Sequence, residues 1–101
     1  MPERIGFPVT HPVIVLWGEF LKPLGVTQTK LARDTGMSYL RVNELLNGKR
    51  GFTPDTALRV SKYLGTTAEM WLNWQAAYDL QHTEKIHRAD YRKIRALASA
   101  V

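Results

Sequence analysis

Apolar positions recur along this chain at helical spacing. Val13, Leu16, Trp17, Phe20, Leu21 and Leu24 follow the i, i+3, i+4, i+7, i+8 stripe of a helix facing a core. Thr10-His11-Pro12 precedes the stripe with a cap and a proline at or near the first helical position, and Pro23 with Gly25 ends it. Thr27 caps a second helix from Gln28 to about Thr35, stopped by Gly36, and Ser38 caps a third from Tyr39 to about Asn47, stopped by Gly48. Thr53-Pro54-Asp55 opens a fourth, with Ala57, Leu58, Ser61 and Leu64 on one face and Gly65 at its end. Thr66 and Glu69 fit a capping box that starts a fifth, running through Trp71, Trp74 and Tyr78 to about Leu80. No stretch alternates with period two for long enough to argue a strand. The pattern predicts an all-α bundle of five helices. Its tail from Gln81 onward, with Ile86, Ile94, Leu97 and Val101 among basic residues, has room for a sixth.

Only Gly36, Met37 and Ser38 separate the second and third helices, which is a helix-turn-helix layout. At 100° per residue, Val42, Leu45 and Leu46 share the inward arc of the third helix. The outward arc centres on Leu40 and Glu44, with Asn43 and Asn47 on one flank, Arg41 on the other and Tyr39 in the first turn. Those side chains match base edges in a major groove. Arg suits guanine, Asn suits adenine, Glu accepts from the cytosine amine, and an apolar group meets the thymine methyl. Tyr39, Leu40, Arg41, Asn43 and Glu44 are therefore the candidate base contacts. Gln28, Ser38, Asn47, Lys49 and Arg50 lie around them as candidate phosphate contacts. Each alone is explained as well by a solvated face; their joint register favours DNA.

Charge placement sharpens this. The 101 residues carry a net charge of +5. Residues 1–26 are neutral, the helix-turn-helix and its loop (27–52) carry +3, residues 53–80 carry −1, and the tail 81–101 carries +3. The absence of cysteine excludes a disulfide scaffold, a thiolate metal site and a cysteine nucleophile. The longest apolar run, Val13 to Trp17, is far short of the ~20 residues that span a bilayer. With no signal-peptide pattern at the N-terminus, a cytoplasmic protein without a membrane partner is expected. His11 is placed to cap, and His82 and His87 are five apart, off the spacing of a helical metal pair. No phosphate loop, nucleophile elbow or paired carboxylate is present. The chain reads as non-enzymatic, with no metal, cofactor or small-molecule substrate.

Residues 27–50, TQTKLARDTGMSYLRVNELLNGKR, resemble the helix-turn-helix of the Cro and lambda-repressor type, the XRE family. The flanking segments GKRGFTPDTALR and EMWLNWQAAYDL, with His11-Pro12 and Pro23-Leu24-Gly25, are similar to the HigA/VapI antitoxins. The resemblance covers about residues 11–80. It implies a lambda-repressor-like DNA-binding and dimerisation domain there, between an N-terminal arm (1–10) and a basic tail (81–101). It further implies an antitoxin that represses its own operon at a palindromic operator and neutralises a HigB-type toxin ribonuclease. The alternatives are a regulator with no toxin partner, or a toxin inhibitor with little DNA binding. The family's glutamine falls on Gln28 and its recognition helix on Ser38 to Asn47, with its arginine at Arg41. The first helix departs: where the family shows Gly-Glu-Ile-Leu after His-Pro, this chain has Val13-Ile14-Val15-Leu16, which adds apolar surface at Ile14 and Val15.

Trp71, Trp74 and Tyr78 form an aromatic stripe on the fifth helix. Trp71 is expected in the core. Reading a palindrome requires a two-fold dimer with half-sites ~34 Å apart, and Leu72, Trp74 and Tyr78 are the candidate homodimer interface.

Overall fold

A computed structural model describes residues 9–97. Most of the expected N-terminal arm and the last four residues of the tail, Val101 included, lie outside the described residues. Among the described residues six helices follow one another. The first, α1, is a continuous rod made of Pro12–Val15, a π-helical turn Leu16–Leu21, and Lys22–Leu24. Then come α2 (Gln28–Thr35), α3 (Tyr39–Leu46), α4 (Pro54–Leu64), α5 (Ala68–Ile86) and α6 (Arg88–Tyr91). No strand occurs among the described residues, and the all-α expectation holds. Nor is any helix among them long and apolar enough to cross a membrane.

The π turn corrects the α1 stripe. Lys22 donates its backbone N–H to Trp17, five residues back, so one extra residue enters the turn. Pro23 has no N–H and its ring crowds the carbonyl four residues earlier; the wider turn just before it relieves that crowding. The apolar phase therefore slips. Leu16 and Leu21, five apart, are both fully buried, whereas Trp17 and Leu24, expected in the core, are 44% and 65% exposed. His11 caps α1 as expected, its Nδ1 accepting from the Val13 N–H at 3.1 Å.

The other caps are local and fall where the sequence puts them. Thr27, Ser38 and Thr53 each accept from the N–H three residues on. At α5 the cap is Thr67, which accepts from Met70, so the box built on Thr66 and Glu69 does not form. Thr66 turns inward instead and accepts from the Trp71 indole N–H at 2.8 Å. On α4 the buried face is Thr56, Ala57, Val60 and Ser61, while Leu58, expected inward, is 60% exposed. Helix α5 continues unbroken past Leu80 to Ile86, and residues 82–97 are exposed.

The core joins all five long elements. Leu16 and Leu21, Leu31 and Ala32, Val42 and Leu45, Ala57 and Val60, and Trp71 are buried together. Trp71 is its largest member, stacked on Phe52 at 5.0 Å and met edge-on by Phe20 at 5.8 Å. Besides Thr56 and Ser61, one longer polar side chain joins this interior. Gln75 is buried; its Oε1 accepts from the Phe52 N–H at 3.0 Å and its Nε2 donates to Asp79 at 3.0 Å. It lies so close to the loop that a Cβ on Gly51 would come within 2.9 Å of its amide carbon. The loop after α3 is thus fixed by α5.

Gln75→Leu leaves the buried Phe52 N–H without an acceptor and should cost ~1–3 kcal/mol in urea unfolding. Wild-type stability would show instead that water replaces the amide. His11, partly desolvated against Tyr78 at 4.6 Å, has its pKa pushed below the ordinary 6.5 by burial, which the Asp79 charge only partly offsets. The folded state then binds a proton less readily than the unfolded chain. Stability should be full above pH 6.5 and decline as pH falls below it. His11→Asn, which keeps a capping oxygen, should flatten that part of the melting-temperature profile; an unchanged profile would exclude His11 as its source.

Candidate nucleic-acid interface

The turn between α2 and α3 needs Gly36 in the left-handed region, at φ 74°. A side chain there would be strained and would press on Arg59 Nη1, 3.0 Å from where a Cβ would stand. The Met37 N–H closes the turn on the Ala32 carbonyl, and Met37 is buried beneath it. With Leu31 and Ala32 of α2 and Val42 and Leu45 of α3 in the core, the two short helices are held in one orientation. The remaining face of α3 points outward.

Tyr39 and Leu40 stand free on that face, 55% and 65% exposed. Most of the other candidates are tied to neighbours. Asn43 Nδ2 donates to Gln28 Oε1 at 3.0 Å, linking the middle of α3 to the start of α2, and Asn47 Nδ2 donates back to the Asn43 carbonyl at 2.9 Å. Glu44 Oε1 accepts from Arg50 Nη2 at 2.7 Å, so the carboxylate meant for a base and the guanidinium meant for a phosphate are paired with each other. The Ser38 hydroxyl is used as the α3 cap. Lys49 is exposed in the loop.

Arg41 is placed differently from the sequence expectation of an outward flank. Its Nη2 donates to Asp55 Oδ2 at 2.7 Å and to Thr56 Oγ1 at 2.6 Å, both in the first turn of α4. Asp55 also accepts from Arg59 Nε at 2.9 Å, and Arg59 Nη1 donates to the Thr35 carbonyl at the end of α2. The two guanidiniums hold the Asp55 carboxyl below the usual carboxylate range, the Arg41 hydrogen bond being the larger cause. A second tie joins α2 to α4: the Tyr63 hydroxyl donates to Asp34 at 2.6 Å, and Lys30 pairs with the same carboxylate at 3.0 Å. The Tyr63 bond, then Lys30, lowers the Asp34 pKa. Asp55, Thr56 and Arg59 were not among the sequence candidates. Asp55 was legible only as a helix-start carboxylate, and the i, i+4 spacing to Arg59 was the one available signal.

The apolar departure in α1 lies beside this face. Val13, Ile14, Trp17 and Leu46 line a shallow groove of about 280 Å³ that Gln28 and Asn47 also border. Ile14 is 61% exposed there. Of the dimer candidates, Trp74 and Tyr78 come together around the start of α1. The Trp74 indole N–H donates to the Thr10 carbonyl at 2.8 Å, and Tyr78 meets His11 edge-on. Leu72, two residues from Trp74 and so about 200° away around the helix, packs on the core instead. No group of three or more metal-ligating side chains occurs among the described residues.

The helix-turn-helix family matches residues 19–71 of the chain. Virulence-associated protein I of Dichelobacter nodosus is 45% identical over 78 residues, 77% of this chain and 72% of that protein. Similar solved structures include ones determined with DNA. The Pseudomonas aeruginosa antitoxin HigA with the higBA promoter has a TM-score of 0.83 at 30% identity, over 89% of this chain and 99% of that one. Antitoxin GraA in complex with its operator has a TM-score of 0.84 at 35% identity, over 98% of this chain and 99% of that one.

Proposed function

This chain belongs to the XRE-type helix-turn-helix family of HigA and VapI antitoxins, and on that premise we propose that it is a sequence-specific DNA-binding antitoxin that represses its own operon. The carrying observation is the outward face of α3. Its inward residues are locked in the core, its apolar tip at Tyr39 and Leu40 stands in solvent, and its amides are aligned with the start of α2. The likeness to HigA and GraA structures determined with their promoter or operator supports the same use here.

In this reading α3 enters the major groove with Tyr39, Leu40, Asn43 and Glu44 toward base edges. Gln28, Ser38, Asn47, Lys49 and Arg50 meet the flanking phosphates. Two copies related by a two-fold axis read a palindrome, with the half-buried Trp74 and Tyr78 at the proposed interface. The second role is neutralisation of a HigB-type ribonuclease by direct binding.

Two variants test the DNA reading. Lys49→Ala should weaken binding to every sequence and flatten the salt dependence by about one unit. Asn43→Ala should cost ~1–3 kcal/mol on the preferred sequence alone. If both bind promoter DNA like the wild type in a salt-controlled titration, α3 is not the reading helix. The antitoxin role is tested by co-purification with the product of the adjacent reading frame. A stable complex that blocks RNA cleavage supports it; an active ribonuclease left untouched by this chain refutes it.

A further inference from the structure

Arg41 is the only cation on α3, and its two hydrogen bonds, to Asp55 and to Thr56, both leave from Nη2. A guanidinium has two edges that present a parallel pair of N–H groups, Nε with Nη2 and Nη1 with Nη2. Both include Nη2. A two-pronged contact to guanine O6 and N7 needs one of those edges, so Arg41 cannot make it while both Nη2 hydrogens are on α4. The acceptors are themselves fixed. Thr56 is fully buried, and the Asp55 Oδ2 that accepts from Arg41 also accepts from Arg59, which is anchored on the Thr35 carbonyl. Asp55 therefore cannot follow Arg41 toward a DNA groove.

We propose that Arg41 is a positioning residue, a strut between α3 and the first turn of α4 that sets the angle at which Tyr39, Leu40 and Asn43 meet base edges, with Asp55 as its anchor. This rests on α3 being the recognition helix. It reassigns the one residue whose type most resembles a base reader. The strut joins three parts of the helix-turn-helix through one carboxylate: the start of α3 by Arg41, the end of α2 by Arg59, and α4 by Asp55 itself. A reader and a strut leave different marks. Losing a reader relaxes preference at one base pair; losing a strut weakens binding while the preferred sequence stays the same.

The test uses duplexes selected from a randomised pool by the full-length wild-type chain. Titrations at fixed salt then compare the wild type, Arg41→Ala, Asp55→Asn and the double variant on the selected duplex and on each of its single-base changes. Asp55→Ser serves as a second anchor variant, since Ser is also tolerated in a first helical turn. The expected result is that Arg41→Ala and Asp55→Asn each bind the selected duplex more weakly, by roughly 2- to 100-fold as for partners in one hydrogen-bond network. The double variant should lie within about twofold of Arg41→Ala alone, and the order of preference among single-base changes should be unaltered. Three results overturn the proposal: relaxed preference at one base pair in Arg41→Ala, tighter binding by Asp55→Asn, or lower melting temperatures with wild-type affinity. If the wild type enriches no sequence at all, the recognition-helix reading fails first, and the strut falls with it.

Discussion

Helices of eight residues are too short to persist alone in water, where ~12–15 residues are marginal. Both arms of this helix-turn-helix have that length. They exist because Leu31 and Ala32 on one, and Val42 and Leu45 on the other, are buried among α1, α4 and α5. Everything on the outer face depends on that burial. Trp71 fills the middle of the core, and Gln75 one turn further along α5 holds the loop that leaves α3. The same helix that completes the interior thus fixes the loop that leaves α3.

Local signals were legible and long-range ones were not. Thr27, Ser38 and Thr53 cap, and Gly36 closes the turn, because each depends on only a few neighbouring residues. Periodicity failed where the backbone changed period. The π turn before Pro23 slips the α1 stripe by one residue and expels Trp17 and Leu24. On α4 the expected face keeps Ala57 and Ser61 inside but not Leu58, and the interior takes Thr56 and Val60 as well. Thr56 can be buried because its hydroxyl finds Arg41 and Thr53. The partners of Arg41 on α4, and the Phe52 N–H that Gln75 accepts, lie 14 to 23 residues away, and no spacing rule reaches that far.

The outer face also shows how charge placement works in three dimensions. The sequence puts +3 on the helix-turn-helix and its loop. Much of it is paired: Lys30 with Asp34, Arg41 with Asp55, and Arg50 with Glu44. These exposed pairs are worth little in stability; their effect is to hold side chains in defined positions before any partner arrives. The unpaired apolar tip at Tyr39 and Leu40 is left as the foremost part of the surface. The second basic block lies on the exposed end of α5, on α6 and in the segment after it, away from the core.

In the proposed reading, α3, with the start of α2 and the loop that follows, meets DNA. Amide chemical-shift mapping of the full chain during titration with a duplex selected by the protein separates that face from every other. Perturbations should concentrate at Gln28, Ser38 to Asn43 and Asn47 to Arg50, with the buried face of α4 little changed. Perturbations confined to the end of α5 and α6, with α3 silent, would contradict it.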